Sequence, residues 1–381
     1  MHAHKTEISF ELSEIIRESK SYIKKLPFVY QRLYKLRPTD EDRFFANRNA
    51  EIDILMEAYE DWQKDRFVSV AILGEKGSGI TSYINKFIRD IETETTIIRD
   101  TLDKKIVTLE EYLVYFSKLF EVGQFENNED IIKYINESEG YKIIFLENMH
   151  HFFLKKVGGF ESLKLFFDLM ANTSRKTLWI SAYTRHSWEY LDQALHISDY
   201  YIRKIELLKM TDKTIEEIIF SRNLLSGYKI IFEAAKINME DKAFTKMNEG
   251  EKQGFLRKKF FSDLNKTCNG NISLALLFWL RSTSDVSEES ITIANLPEID
   301  LSFVKAFSSD YMFTLHAILI HDGLSLEDYS TIFNTSVHLA RNTLIPMLEK
   351  GLLIRPKEKF NINPVIFKQV TQLLSSKNFI N

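Results

Sequence analysis

The stretch FVSVAILGEKGSGITSYINKFIRDIE, residues 67–92, decides the fold. Its first eight residues, Phe67 to Gly74, form a short β-rich apolar run that ends in a glycine cluster, the pattern of a buried strand entering a tight loop. The residues after the cluster, TSYINKFIRDIE, read as a helix, so the stretch predicts strand, loop and helix, half of a βαβ unit. Further short apolar runs follow at TTIIR (95–99), YKIIFLEN (141–148), KTLWISA (176–182) and YIRKIEL (201–207), separated mostly by helical patterns such as GGFESLKLFFDLMANTS. Alternation of this kind predicts an α/β fold with a parallel sheet covered by helices. Just upstream, EIDILMEAYEDWQ (51–63) places Ile52, Leu55, Met56, Tyr59 and Trp62 on one face of an amphipathic helix.

Within the decisive stretch, residues 74–82 read GEKGSGITS, to be set against the phosphate-loop pattern G-x-x-x-x-G-K-[ST]. Gly74, Gly79 and Thr81 match, whereas Ile80 stands in the lysine position. Glycines let successive backbone N–H groups converge on a phosphate, and the following helix adds its positive end, so a cradle from Gly77, Ser78, Gly79, Ile80, Thr81 and Ser82 needs no lysine. Lys76 is the cation near enough in sequence to bend inward as a substitute, and Thr81 offers the hydroxyl that would sit on Mg²⁺. Rossmann turns and plain tight turns also put glycines after a strand, and the loop alone leaves these readings open. YKIIFLEN ends in Glu147 and Asn148, where a Walker B strand would end in an aspartate for the metal and a glutamate for the attacking water. Glu147 can hold a metal through water; Asn148 cannot accept a proton. A core strand with a polar end explains the same residues without chemistry.

Together these residues resemble the P-loop ATPases of the AAA+ and STAND type, including the origin-recognition-like ATPases, over roughly residues 44–381. FFANRNAEIDIL is similar to the adenine-side box of those families, with Asn47 in a glycine place and Arg48 and Glu51 retained. LWISAYTRHSWEYLD resembles the sensor-1 strand, with Thr184 in the polar sensor position. CNGNISLALLFWLRS resembles the lid motif, keeping Gly270 and Asn271 but with Ile272 and Ser273 in place of its proline and sensor arginine. The resemblance implies strand order 2-3-4-1-5, with the loop strand between the sensor-like strand and strand 201–207. It also implies a site for ATP or ADP, with Mg²⁺ on Thr81 and Glu147.

The organisation expected from pattern and resemblance is an N-terminal helical arm (1–43), a P-loop ATPase-like α/β domain (44–210), an all-helical lid (211–300) and a winged-helix domain (301–381). The arm carries Ile15, Ile16, Tyr22, Ile23, Leu26 and Leu33 as an apolar stripe interrupted at Pro27. Strand signals stop after Met210, and Thr211 or Asp212 caps the next helix. The last unit reads as three helices followed by the strand pair LLIRPKEKFNIN around a basic turn.

Composition narrows the functions. Fifty Lys and Arg against 54 Asp and Glu give a net charge of -4, so no global field draws the chain onto nucleic acid or anionic lipid. Residues 336–381 hold seven Lys/Arg against Glu349 and Glu358, a local excess of five. The third helix of that unit offers His338, Asn342, Ile345 and Glu349 on its outer face, a poor set for reading bases, so any DNA binding is expected to be weak. No apolar stretch is long enough to span a bilayer and Cys268 has no disulfide partner, which fits a cytoplasmic chain. Trp179, Trp188 and Trp279 are expected in the core, Cys268 is expected to be inert, and His150 and His151 are expected as cap or surface residues.

Four functions follow. One is a nucleotide switch with little or no hydrolysis. Another is a nucleotide-free pseudo-ATPase scaffold that binds a protein partner or a second copy of itself. The others are a competent oligomeric motor using Arg185 or Arg203 as a finger, and a winged-helix DNA binder. The missing lysine, acidic base and sensor arginine favour the first two.

Overall fold

The computed structural model describes residues 23, 24, 26–34, 44, 45, 48–91, 94–235, 240, 242–296 and 299–380. Most of the expected arm, and Asn47, lie outside them.

Five strands make the central sheet: β1 (Ser69–Leu73), β2 (Thr96–Thr101), β3 (Lys142–Glu147), β4 (Thr177–Tyr183) and β5 (Arg203–Glu206). All neighbours run parallel in the order β2-β3-β4-β1-β5. Ser69 to Leu73 lie opposite Trp179 to Tyr183, and Val70 to Leu73 lie opposite Arg203 to Glu206, so β4 separates the loop strand from β3. This is the order expected, and it sets the fold apart from arrangements in which those two strands pair. β1, β3 and β4 are buried throughout, as befits inner strands of a sheet covered on both faces.

Side-chain alternation divides two cores. Ala71, Leu73, Ile144, Leu146, Trp179 and Tyr183 face the helices Leu109–Leu119, Asn128–Glu137, Glu161–Thr173 and Arg185–Leu195. Val70, Ile72, Ile143, Phe145, Leu178 and Ile180 face the helices Asn49–Gln63 and Ile80–Asp90. Leu55, Tyr59 and Trp62 are the buried positions of the first of these, from the stripe read in the sequence.

The unit after Met210 departs from expectation. Its helices Asp212–Leu224, Glu249–Cys268 and Ile272–Arg281 pack around Trp279, and Thr211 supplies the N-cap oxygen to the Thr214 N–H. It is not all-helical, however. β6 (Lys229–Phe232), β7 (Thr283–Val286) and β8 (Ser290–Ile293) form a three-stranded sheet in the order β6-β8-β7. β6 is a four-residue run, and its parallel partner β8 lies far downstream in a Ser- and Thr-rich segment. Neither strand shows a long apolar pattern, and pairing across that distance decides the structure.

Near the C-terminus, helices Ser309–His321, Leu326–Ile332 and Val337–Glu349 precede β9 (Leu353–Ile354) and β10 (Asn361–Ile362), an antiparallel pair of two residues each. A bridge between Leu324 and Phe360 extends it, and a further helix, Phe367–Ser376, closes the chain. One continuous hydrophobic cluster joins this unit to the one expected as a lid, running from Phe261 and Trp279 through Leu315 and Ile318 to Leu344 and Leu374. The described part of the arm packs there too: Tyr30 donates to Asn223 Oδ1 at 3.0 Å and Tyr34 to the Ile219 carbonyl at 2.9 Å. Among the described residues, no helix is long and apolar enough to cross a membrane.

Candidate functional site

The loop leaves β1 at Gly74, whose N–H donates to the Tyr183 carbonyl of the neighbouring strand. A Cβ on Gly74 would lie 2.4 Å from Ser78 Oγ and 3.1 Å from Ile80 Cγ1, so any side chain there would force these neighbours to move. Gly79, at φ 96°, is the N-cap of helix Ile80–Asp90. The first N–H groups of a helix have no partner within it, and here they open beside the end of β1. The Ser78 N–H is not part of that cradle as expected, because it donates to the Glu75 carbonyl at 2.9 Å. Its hydroxyl, by contrast, is buried and has no hydrogen-bond partner among the described residues.

A cavity of about 450 Å³ surrounds the loop. One part of its wall is apolar: Phe44, Phe45, Met210, Ile218, Ile272 and Leu276. The other is polar, made of Gly74 to Ser82 with Glu147, Asn148, Thr184 and Asp322. Arg48, Arg222, Ser273, Ala182 and Tyr183 complete it.

The cations near this cavity have partners within the protein. Buried Arg48 pairs with Glu51 at 3.1 Å and donates to the carbonyls of Ser78 and Leu208, tying the loop to the chain beyond β5. It also lines the cavity. Lys76 Nζ lies 3.2 Å from Asp322 Oδ2, at the end of helix Ser309–His321, and both residues line the cavity. Arg222 donates to the Leu33 carbonyl at 2.8 Å and lies over the Phe44 ring.

The expected metal ligands face each other. Thr81 Oγ1 donates to Glu147 Oε2 at 2.6 Å. Arg99, from β2, donates to Glu147 Oε1 through Nε at 3.0 Å and through Nη2 at 2.7 Å, and its Nη1 reaches Asn85 Oδ1. In the sequence TTIIR reads only as a strand, and nothing in it marks Arg99 as a site residue. Its approach to Glu147 depends on the β2–β3 register, which sets Thr101 opposite Glu147. Among the described residues, no group of three His, Cys, Asp or Glu is arranged to hold a metal.

Asn148 sits at φ 61°, a left-handed conformation that asparagine tolerates better than most residues, and donates to the Leu102 carbonyl. Its identity therefore has a backbone reason. Thr184 begins helix Arg185–Leu195 and its hydroxyl is engaged with Ser187 Oγ. Arg185 pairs with Glu189 and Glu206, and Arg203 with Asp61, which accounts for both finger candidates inside the chain.

Two lid residues press on the loop. Asn271 Nδ2 donates to the Lys76 carbonyl at 2.7 Å while its Oδ1 caps helix Ile272–Arg281. Gly270 at φ 77° leaves no room for a Cβ against Lys209 and Met210. Ser273 lines the cavity but carries no charge.

His150 and His151 are buried rather than capping a surface, because the C-terminal unit covers them. His151 donates from Nδ1 to the Leu102 carbonyl at 2.8 Å, and its Nε2 lies 3.3 Å from Lys359 Nζ. His150 Nε2 lies 3.9 Å from Asp322 Oδ2. Lys105 Nζ reaches the carbonyls of His150 and His321 and the His321 Nδ1. Burial, together with the charge of Lys105, pushes the pKa of all three histidines well below the usual imidazole value, and burial lowers that of Lys105 to about 7. The three tryptophans named above are buried, and burial raises the Cys268 thiol to about 11, away from the reactive thiolate.

No protein-family model matches this sequence, and no curated protein matches it. Among solved structures, the chain is similar to a Walker-type ATPase of Pyrococcus abyssi, paby2304, at 16% identity over 89% of this chain and 99% of that one, with TM-score 0.39. It is similar to Cdc6p of Pyrobaculum aerophilum at 12% identity over 91% and 98%, with TM-score 0.47. It is also similar to the Orc1 protein of Aeropyrum pernix, solved in complex with DNA, at 11% identity over 90% and 94%, with TM-score 0.42. The fold itself, a parallel sheet of order 2-3-4-1-5 with a glycine loop after β1, is that of P-loop NTPases.

Proposed function

We propose that the chain is a degenerate P-loop ATPase-family protein of the AAA+ and STAND type that binds ATP or ADP as a conformational switch, with weak or no hydrolysis. One observation carries this reading: a single cavity is walled by the glycine loop, by lid residues Ile272, Ser273 and Leu276 and by Asp322 of the C-terminal unit. A ligand there touches all three parts, so one that binds two arrangements unequally shifts their populations. Phosphates suit the polar part, where Ser78 Oγ has no partner and the helix Ile80–Asp90 begins; a planar base suits the wall of Phe44, Phe45 and Leu276. Weak hydrolysis follows from Ile80 in the lysine place and from Asn148, which is committed to the Leu102 carbonyl and cannot act as a base. The winged-helix reading of residues 301–381 rests on three helices followed by a strand pair, and we place the chain in the cytoplasm.

The test is a distance measurement between probes on helix Arg185–Leu195 and on helix Val337–Glu349, with ADP, with ATP and without either. A nucleotide-dependent change supports the switch; saturating binding with no change in distance contradicts it.

The pseudo-ATPase scaffold is the second reading, favoured by the way Lys76 and Glu147 are already paired within the protein. It implies a protein partner or a second copy of the chain. DNA binding is favoured less, because Lys350, Lys359 and Lys368 donate within the chain and Arg355 pairs with Glu358.

A further inference from the structure

A magnesium ion does not fit the ligand pair that the loop pattern implies. Glu147 is almost fully buried, and its carboxylate is taken on one oxygen by the Thr81 hydroxyl and on the other by two donors of the Arg99 guanidinium. Thr101 Oγ1 adds a contact to the same oxygen at 3.4 Å. One positive charge already neutralises this carboxylate, with two guanidinium donors on the single oxygen Oε1. A divalent cation placed between Thr81 and Glu147 would displace the Thr81 hydrogen bond and stand beside a fixed guanidinium. Like charges at such a separation repel strongly where solvent is scarce. Arginine also cannot step aside by losing its proton.

We infer that Arg99 is the built-in counter-ion of this site, and that the site takes its nucleotide free of a divalent cation. This rests on the nucleotide-binding reading above and adds to it the charge state of the ligand. Arg99 is anchored at three points: the backbone of β2, Asn85 of the helix that begins at the loop, and Glu147 at the end of β3. It therefore holds its charge near the start of that helix whether or not a ligand is present. Its side chain is 28% exposed, so substituting it removes the charge without opening the core.

The experiment is equilibrium binding of a fluorescent ATP analogue and a fluorescent ADP analogue to the full chain, in excess EDTA and in excess Mg²⁺. The unmodified chain is expected to bind each with the same affinity, within about twofold, in the two buffers. Arg99→Gln leaves Glu147 without a counter-ion and should become magnesium-dependent, binding about tenfold more tightly with Mg²⁺ than in EDTA. Arg99→Lys keeps the charge and should behave as the unmodified chain, which separates the role of the charge from any loss of fold in Arg99→Gln. Tighter binding with Mg²⁺ by the unmodified chain, about tenfold or more, overturns the inference and leaves the nucleotide reading standing. Equal affinities in both buffers for Arg99→Gln as well overturn the role given to Arg99. Absence of binding in every buffer overturns both.

Discussion

Lys76 Nζ lies 3.2 Å from Asp322 Oδ2, joining the glycine loop to the end of a helix 246 residues further along the chain. In the same place, Asn271 of the lid holds the Lys76 carbonyl. The loop is thus gripped through one residue by both of the units that follow the sheet. A phosphate in the cradle would compete with Asp322 for the Lys76 ammonium, which is the physical contact at which the proposed switch would act.

Asp322→Asn should therefore strengthen nucleotide binding severalfold, since it frees Lys76 while keeping a residue that tolerates the left-handed conformation at φ 48°. Stability should change little: Lys76 is 59% exposed, and pairs so exposed contribute about 0–1 kcal/mol. Titration of the variant with ADP, beside a urea unfolding curve, checks both statements. Equal or weaker binding at unchanged stability counts against competition for Lys76.

Acid should destabilise the folded chain. His150, His151 and His321 have pKa values well below the ordinary imidazole value because burial excludes their charged form, so the unfolded state binds more protons once the pH falls below about 6.5. Their contribution is complete above that pH and is lost progressively below it. The loss is about 1 kcal/mol per histidine between pH 7.5 and 5.5. The other titratable groups that face them are Lys76, Lys105, Lys155, Lys359, His316 and Asp322. Lys105, lowered to about 7, changes its contribution only on the alkaline side of that value. Urea unfolding at the two pH values measures the loss, and His321→Gln should flatten the dependence by about one proton. A stability independent of pH across this range would contradict the burial of these rings.

Ile80→Lys should strengthen nucleotide binding by restoring a charge-assisted contact worth roughly 1.5–3 kcal/mol. It should also lower the stability of the empty protein, because Ile80 packs against the second core and close to Gly74. Hydrolysis should stay low in this variant, since Asn148 is unchanged. Binding, unfolding and phosphate release on one preparation separate the three effects.

DNA binding should be weak, indifferent to sequence and steeply reduced by salt. Of the seven basic residues in 336–381, Lys350, Lys359, Lys368 and Arg355 already make contacts within the chain, which leaves fewer for phosphates than the local excess of charge suggests. Fluorescence anisotropy with two unrelated duplexes at two salt concentrations measures this. A tight complex that prefers one sequence at physiological salt would contradict it.

The sheet was legible because each inner strand is an apolar run bounded by loops, and burial on both faces leaves such runs little alternative. The glycine loop was legible for a similar reason: Gly74 and Gly79 are required by a close approach and a positive φ. What could not be read depends on distant pairing. Nothing local marks Arg99 as the partner of Glu147, and Asp322 follows an ordinary apolar helix with no sign that it meets the loop. The small sheet of the lid joins two short segments separated by two long helices. His150 and His151 look polar in sequence and are buried only because the C-terminal unit docks over them.

The most direct test of the central claim is calorimetric titration of the purified, unmodified chain with ADP and with ATP, alongside phosphate release from the same samples. The account predicts saturable, weak to moderate binding of both nucleotides, with release at the level of a protein-free control. Robust turnover that Thr81→Ala abolishes, or heat of binding absent even for Ile80→Lys, would contradict it.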